Sequence, residues 1–248
     1  MKSMEQPLIK LENVCKTFGT NQVLRGINLS IFKGEITTII GKSGTGKSVL
    51  LKHIIGLLSP DSGDIFFEGH SLRLMPKKKR KALKSKFSYM FQGAALFDSL
   101  TVFENIALPL NERSVLKKNK IKKLVLEKLQ QLDLNDIENK YPSQISGGMQ
   151  KRVALARALI TNPEIVLFDE PTTGLDPIRK NAVHQMITNY HQKFGYSGVI
   201  VSHEIPDIFD ISQRIAMLDR GKIVFEGSPE QIQNCDTALV RQFISGQE

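Results

Sequence analysis

The chain has 248 residues, enough for one large core or a core with a smaller lobe. At 41% hydrophobic and 24% charged it has the composition of an ordinary α/β protein without low-complexity blocks. Lys and Arg number 34 against 25 Asp and Glu; the net charge of +9 favours an anionic partner without choosing among nucleotide, nucleic acid and anionic lipid. Cys15 and Cys235 are the only cysteines and have no metal-site spacing, so a reduced, cytoplasmic setting is expected. The N-terminal residues lack the apolar stretch of a signal peptide, and no run approaches the ~18 apolar residues that cross a bilayer. If the protein serves a membrane, another chain does the spanning.

Residues 8–36 read as strands, with Ile27, Leu29 and Ile31 alternating with Asn28 and Ser30. Phe18 precedes a Gly19–Thr20 turn. An aromatic there can stack on a base, although spacing alone reads more readily as packing. EITTII (35–40) is β-branched and apolar, as a buried strand should be. It runs into GKSGTGKS (41–48), which fits G-x-x-x-x-G-K-[ST], and then into a helical pattern that stops before Gly56. Strand, glycine loop and helix together predict a phosphate-binding loop. Its backbone N–H groups turn inward and the new helix adds its positive end. Lys47 can reach the β- and γ-phosphates, and the Ser48 hydroxyl can ligate Mg²⁺.

Residues 59–70 read as a turn and a short strand. MPKKKRKALKSK (75–86) is the most basic run; it suits nucleic acid or acidic headgroups, and more simply a solvated helix face. FSYMFQ (87–92) reads as a buried strand ending in Gln92, the end of a strand where open α/β sheets bind ligands. Thr101 and Glu104 make a capping box for a short helix stopped near Pro109. Ile121, Val125, Leu129 and Leu132 form the apolar stripe of a helix over 117–132, with lysines opposite. Residues 94–157 therefore read as a helical lobe inserted in an α/β core.

Ser146, Gly147 and Gly148 precede a long helix, a second helix-start anion site that is weak evidence alone. EIVLFDE (164–170) is a buried strand ending in two acids. Asp169 suits a hold on Mg²⁺ near Ser48, and Glu170 suits a general base for a hydrolytic water. Asp176 and Pro177 are suited to cap and begin the next helix. SGVIVSH (197–203) is a further buried strand that brings His203 to its tip, within reach of a γ-phosphate. Residues 214–227 read as a hairpin turning at 219–222, and short helices close the chain.

This set resembles the ATP-binding subunit of ABC transporters, over almost the whole chain and in the family's motif order. GKSGTGKS is similar to the Walker A motif, Gln92 to the Q-loop glutamine and ISGGMQ (145–150) to the signature. IVLFDE resembles Walker B with its catalytic Glu170, GLD (174–176) the D-loop, and His203 the switch histidine. The signature departs from Leu-Ser-Gly-Gly-Gln at Ile145 and Met149, and Phe18 stands where a tyrosine is commoner. The resemblance implies a P-loop NTPase (RecA-like) core with an antiparallel β subdomain over 8–93 and 158–248, and the helical subdomain over 94–157, in one ABC ATPase domain. It implies ATP and Mg²⁺ as ligands. Nucleotide contacts fall on Phe18, Gly41, Ser43, Gly44, Gly46, Lys47, Ser48 and Val49, and from the opposite side on Ser146, Gly147, Gly148 and Asp176. Metal contacts fall on Ser48, Gln92 and Asp169, and catalysis on Glu170, His203 and Gln92. It also implies a head-to-tail dimer in which the signature of one copy closes over the nucleotide of the other.

Within the family, residues 93–109, 141–149, 202–212 and 240–246 are similar to the ATPases of Mla-type phospholipid (MCE-associated) transporters. That likeness implies a subunit peripheral to the cytoplasmic face of the inner membrane. Its partners would be an integral membrane permease, gripped through Ala95, Leu96 and Phe97, and an MCE-type lipid-binding subunit. An amino-acid importer ATPase and a non-transporting cell-division ATPase share the same motifs. A nucleic-acid ATPase is disfavoured by the single cassette and the absence of sustained heptads.

Overall fold

The computed structural model describes residues 6–90, 93–113 and 116–246. In chain order the first strands are β1 (Ile9–Phe18), β2 (Asn21–Ile31) and β3 (Ile36–Ile40), followed by helix α1 (Lys47–Ile54). Then come β4 (Ser62–Phe67), β5 (His70–Ser71), α2 (Lys77–Lys84) and β6 (Phe87–Met90). Three helices follow: α3 (Val102–Arg113), α4 (Lys118–Gln131) and α5 (Gly147–Leu159). The second half adds β7 (Ile165–Asp169), α6 (Pro177–Phe194), β8 (Ser197–Ser202), β9 (Arg214–Asp219), β10 (Lys222–Gly227), α7 (Pro229–Gln233) and α8 (Ala238–Ile244).

Two sheets result. β2, β1, β4 and β5 lie in that order in an antiparallel sheet, and β10, β9, β3, β8, β7 and β6 form the other. In the second sheet β9, β3, β8, β7 and β6 run parallel, and only β10 is antiparallel, through its hairpin with β9. The continuous apolar runs of β3, β7 and β8 follow from burial on both faces of a parallel sheet. Ile36, Ile40, Val166, Phe168 and Ile200 pack with the helices on one side. Ile39, Leu167, Val199 and Val201 pack on the other with α1 and the antiparallel sheet. That register places residues 41, 170 and 203 at the exits of three neighbouring parallel strands, β3, β7 and β8.

Between β6 and β7 the described residues hold helices and no strand. The last of these, α5, runs to Leu159, two residues past the expected end of the lobe. The capping box opens α3 as expected: Thr101 N–H donates to Glu104 Oε2 (2.8 Å) and Glu104 N–H to Thr101 Oγ1 (3.2 Å). The expected stop at Pro109 is wrong, because α3 continues to Arg113. Pro109 forfeits one hydrogen bond and strains the turn before it. Burial of Ile106, Ala107 and Leu110 outweighs that local cost. The α4 stripe is buried as predicted, but its lysines do not all face solvent: Lys128 is buried, with Nζ 4.4 Å from the Phe194 ring centroid. Burial pushes the Lys128 ammonium below its usual range, and Lys193 adds to that.

Candidate active site

The loop between β3 and α1 needs its glycines for reasons visible in the packing. A side chain on Gly41 would run into the Leu218 carbonyl. One on Gly46, which sits at φ +103°, would lie 2.8 Å from Val23 Cγ1. Gly44 also takes a positive φ, of 78°. No side chain caps α1, so its first-turn N–H groups need an acceptor from elsewhere. Ser43 is exposed at the rim, and Val49 packs inward from the first turn. Lys47 is buried and curls back along the loop, with Nζ donating to the Gly41 and Lys42 carbonyls at 2.9 Å each. Burial pushes its ammonium below the usual range, while Glu170 and Asp169 pull it back up.

Asp169 and Glu170 leave β7 in different directions. Asp169 Oδ1 accepts from Ser48 Oγ at 3.0 Å, and its Oδ2 accepts from Tyr89 Oη at 2.6 Å. Burial, reinforced by that carboxylate, drives the Tyr89 hydroxyl far above its ordinary range, so it acts as a donor only. Glu170 sits at φ 48°, a left-handed conformation that costs a non-glycine residue about 1–2 kcal/mol. Its N–H donates to the Val201 carbonyl at 3.0 Å, and Thr173 Oγ1 donates to Oε2 at 3.1 Å. The other oxygen, Oε1, lies 3.2 Å from His203 Nδ1 and 3.8 Å from Lys47 Nζ. Lys47, Ser48, Asp169, Glu170 and His203, predicted from separate stretches, thus form one cluster.

A hydroxyl and a carboxylate oxygen 3.0 Å apart are hard-oxygen donors of the kind Mg²⁺ takes. Among the described residues no group of three or more His, Cys, Asp or Glu forms a metal cage. Magnesium does not need one where substrate phosphates complete its shell, so Ser48 and Asp169 fit it. Gln92, expected beside them, lies outside the described residues.

Ser146 caps α5 by accepting from Met149 N–H at 3.3 Å. Ser146, Gly147 and Gly148 are exposed. Neither glycine takes a positive φ, and a Cβ on either would meet nothing within 4 Å. No contact inside the chain requires glycine there. The three line a cleft of about 580 Å³ with Gly93, Arg179 and Met186, and none of residues 41–48 borders it. Asp176 caps α6 by accepting from Arg179 N–H at 3.0 Å. Phe18 ends β1, exposed, with Lys16 Nζ 5.4 Å from its ring centroid. Among the described residues no hydrogen bond or ion pair joins the signature residues or Asp176 to the Lys47–Glu170 cluster.

Three supports escaped the sequence reading. Tyr89 and Thr173 fix the two acids, and Glu204 fixes the turn after β8. Its Oε1 pairs with Lys180 Nζ at 2.7 Å, and its N–H donates to Ser202 Oγ at 3.0 Å. Burial pushes the Glu204 carboxyl up, but the Lys180 ammonium beside it holds it below its usual range. Only Tyr89 left a signal in the sequence, a ring hydroxyl in a short strand beside Phe87 and Met90.

The family model described as ABC transporter matches residues 24–173, which carry the loop, the signature and both acids. The chain belongs to the ABC transporter family. The intermembrane phospholipid transport system ATP-binding protein MlaF of Escherichia coli is 36% identical over 239 residues, covering 96% of this chain and 89% of that protein. A probable ribonucleotide transport ATP-binding protein, Mkl, of Mycobacterium leprae is 38% identical over 238 residues, covering 96% of this chain and 69% of that one. The chain spans as little as 66% of the length of the other mycobacterial Mkl relatives. Among solved structures, the dimeric ATP-binding cassette MJ0796 in a post-hydrolysis state bound to ADP and Pi is 33% identical. It matches with a TM-score of 0.76 over 89% of this chain and 98% of that one. The chain is thus an ABC ATPase with a P-loop NTPase fold.

Proposed function

We propose that two copies of this ABC ATPase close head to tail over two ATP molecules, and that hydrolysis drives phospholipid transport through a membrane permease. The observation that carries the composite site is the exposed Ser146–Gly148 turn: two glycines that the chain does not need, at an exposed helix start bordering a cleft away from its own Lys47. A second copy's nucleotide accounts for both features, and the dimeric MJ0796 cassette supports that reading.

In the closed site the phosphates compete with Glu170 and the Gly41 and Lys42 carbonyls for the Lys47 ammonium. Loop N–H groups at Gly41, Ser43, Gly44 and Gly46 and the start of α1 at Ser48 and Val49 cradle the same phosphates. Phe18 stacks on the base, and Asp176 contacts the facing nucleotide. Ser48 and Asp169, with Gln92 as the further expected ligand, would hold Mg²⁺, which would supply charge neutralisation at the phosphoryl group. Glu170 accepts a proton from the attacking water, whose oxygen bonds to the γ-phosphorus as the bond to the β-phosphate oxygen breaks and ADP leaves with that electron pair. His203 orients Glu170 through their 3.2 Å contact and would reach the γ-phosphate. The N–H groups of Gly147 and Gly148 from the partner copy take the stabilising role that an arginine finger has elsewhere.

The permease would engage residues 95–97. Phe97 is exposed, while Leu96 packs partly into the helical core. Ala94 and Ala95 both take left-handed conformations (φ 68° and 43°), held by Arg157 through hydrogen bonds of 2.9 Å to each carbonyl. Such a permease places the chain on the cytoplasmic face of the inner membrane, with an MCE-type subunit carrying the lipid. No helix among the described residues is long and apolar enough to cross a membrane itself. Phospholipid is favoured as cargo because the MlaF relatives match over 89% to 92% of their own length. The name of the Mkl relatives supplies the competing cargo, ribonucleotide.

The test is reconstitution with the membrane partner in vesicles, following labelled phospholipid and labelled ribonucleotide in parallel. Phospholipid movement that needs ATP and stops with Glu170→Gln supports the proposal. ATP-dependent movement of ribonucleotide alone, or hydrolysis with no movement of either, overturns the cargo.

A further inference from the structure

One feature plays no part in the nucleotide site. Residues 73–86 contain Arg73, Lys77, Lys78, Lys79, Arg80, Lys81, Lys84 and Lys86 and no acid, which accounts for most of the net charge of +9. Of these, Lys86 pairs with Glu68 and Glu164, and Arg73 lies 3.9 Å from Asp64. Among the described residues no ion pair joins Lys77, Lys78, Lys79, Arg80, Lys81 or Lys84 to any carboxylate. α2 buries Leu83 alone, and Lys77, Lys78, Lys79 and Lys81 are exposed.

Apolar groups stand beside these charges. Leu74 is 78% exposed and Leu57 is 61% exposed, among the most exposed large hydrophobic side chains described. They belong to the same face. Gly56 and Leu58, on either side of Leu57, border one cavity of about 190 Å³ with Leu72, Arg73, Arg80 and Lys84. A Cβ on Gly56 would touch Lys84 Cε at 3.6 Å, and Arg80 Nη2 ties the 73–75 loop to α2 through the Arg73 and Met75 carbonyls at 3.2 Å each. Arg80 Nε, in that loop's shadow, is buried without a partner.

We infer that this face, α2 with Leu57 and Leu74, docks on an anionic phospholipid surface. Diffuse lysines without a fork to receive them suit a fluid layer of headgroups better than one bidentate acceptor. Two protruding leucines suit the acyl boundary below. A single-stranded nucleic acid would want aromatic rings for its bases, and the exposed aliphatics on this face do not supply them. Neither the cargo nor the shared ATP site enters this inference, which gives the chain a lipid contact of its own.

The experiment is co-sedimentation of the full chain with vesicles of phosphatidylcholine alone or with a third phosphatidylglycerol. Binding to the anionic vesicles only, weakened by salt, is expected. Combined Lys77→Glu, Lys78→Glu, Lys79→Glu and Lys81→Glu should lower partitioning by at least about fivefold per charge removed. Leu57→Asp with Leu74→Asp should abolish the part that survives high salt. Both variants should keep wild-type melting temperature and ATPase rate, since these side chains are exposed and lie outside the nucleotide site. Equal binding to neutral vesicles, or undiminished binding by the lysine variant, would overturn the inference. So would RNA or polyglutamate binding in the absence of any vesicle binding.

Discussion

Glu170→Gln isolates the chemical step from the fold. The amide keeps the volume of the carboxylate and an oxygen that can accept the 3.1 Å bond from Thr173 Oγ1. The left-handed backbone at residue 170 is anchored by its own N–H to Val201 and does not depend on the charge. What is lost is the proton acceptor, and general-base removal costs about 10²–10⁴-fold in kcat. At 1.36 kcal/mol per factor of ten that is about 3–5 kcal/mol of barrier. Nucleotide affinity should not fall, because the same change frees Lys47 from a carboxylate 3.8 Å away that competes with phosphate. The assay is single-turnover ATP hydrolysis with a parallel binding titration. A fall of at least a hundredfold in rate with equal or tighter ATP binding is expected. A rate within threefold of wild type would refute Glu170 as the base, and a matching loss of affinity would mean that the carboxylate serves binding instead.

Tyr89→Phe removes the 2.6 Å bond to Asp169 and leaves a half-buried carboxylate oxygen short of a donor. It should raise the Mg²⁺ concentration needed for half-maximal hydrolysis, about tenfold from the loss of one charge-assisted hydrogen bond. An unchanged Mg²⁺ dependence, measured at saturating ATP, would remove Tyr89 from the site. Acid should destabilise the protein through His53, His184 and His191, all pushed by burial below the ordinary 6.5. Their unfolded forms take up protons first, so stability falls as pH drops through 6.5 and goes on falling until the folded pKa values are reached. Melting temperature should therefore decline from pH 7.5 to 5.5, and His184→Gln should flatten the slope. A level or rising profile contradicts that sign.

The site was legible where function is written in local pattern. The glycines at 41 and 46, the apolar runs of β3, β7 and β8 and the capping residues Thr101, Ser146 and Asp176 each signal through their neighbours in sequence, and each forms as read. Pro109 misled because local helix breaking was weighed without the core that α3 packs against. Lys128 misled likewise, since a charge can be buried over an aromatic ring that sits far along the chain. Tyr89 on Asp169, Arg157 on the Ala94 and Ala95 carbonyls, and Lys180 on Glu204 join residues that only strand register and helix docking bring together. No spacing in the chain announces them.

The shared ATP site is tested most directly by mixing two inactive variants. Lys47→Ala removes the phosphate-binding ammonium of one copy, and Ser146→Arg blocks the anion-binding turn of the other at the cost of about 1 kcal/mol of helix cap. Each homodimer has both sites broken. A mixed dimer has one site with both halves intact, so equimolar mixing should restore ATP hydrolysis to about a quarter of the wild-type rate, half the dimers being mixed and each carrying one good site of two. Two folded variants that stay inactive when mixed, or Ser146→Arg hydrolysing ATP by itself, would contradict a site built from two copies of this chain.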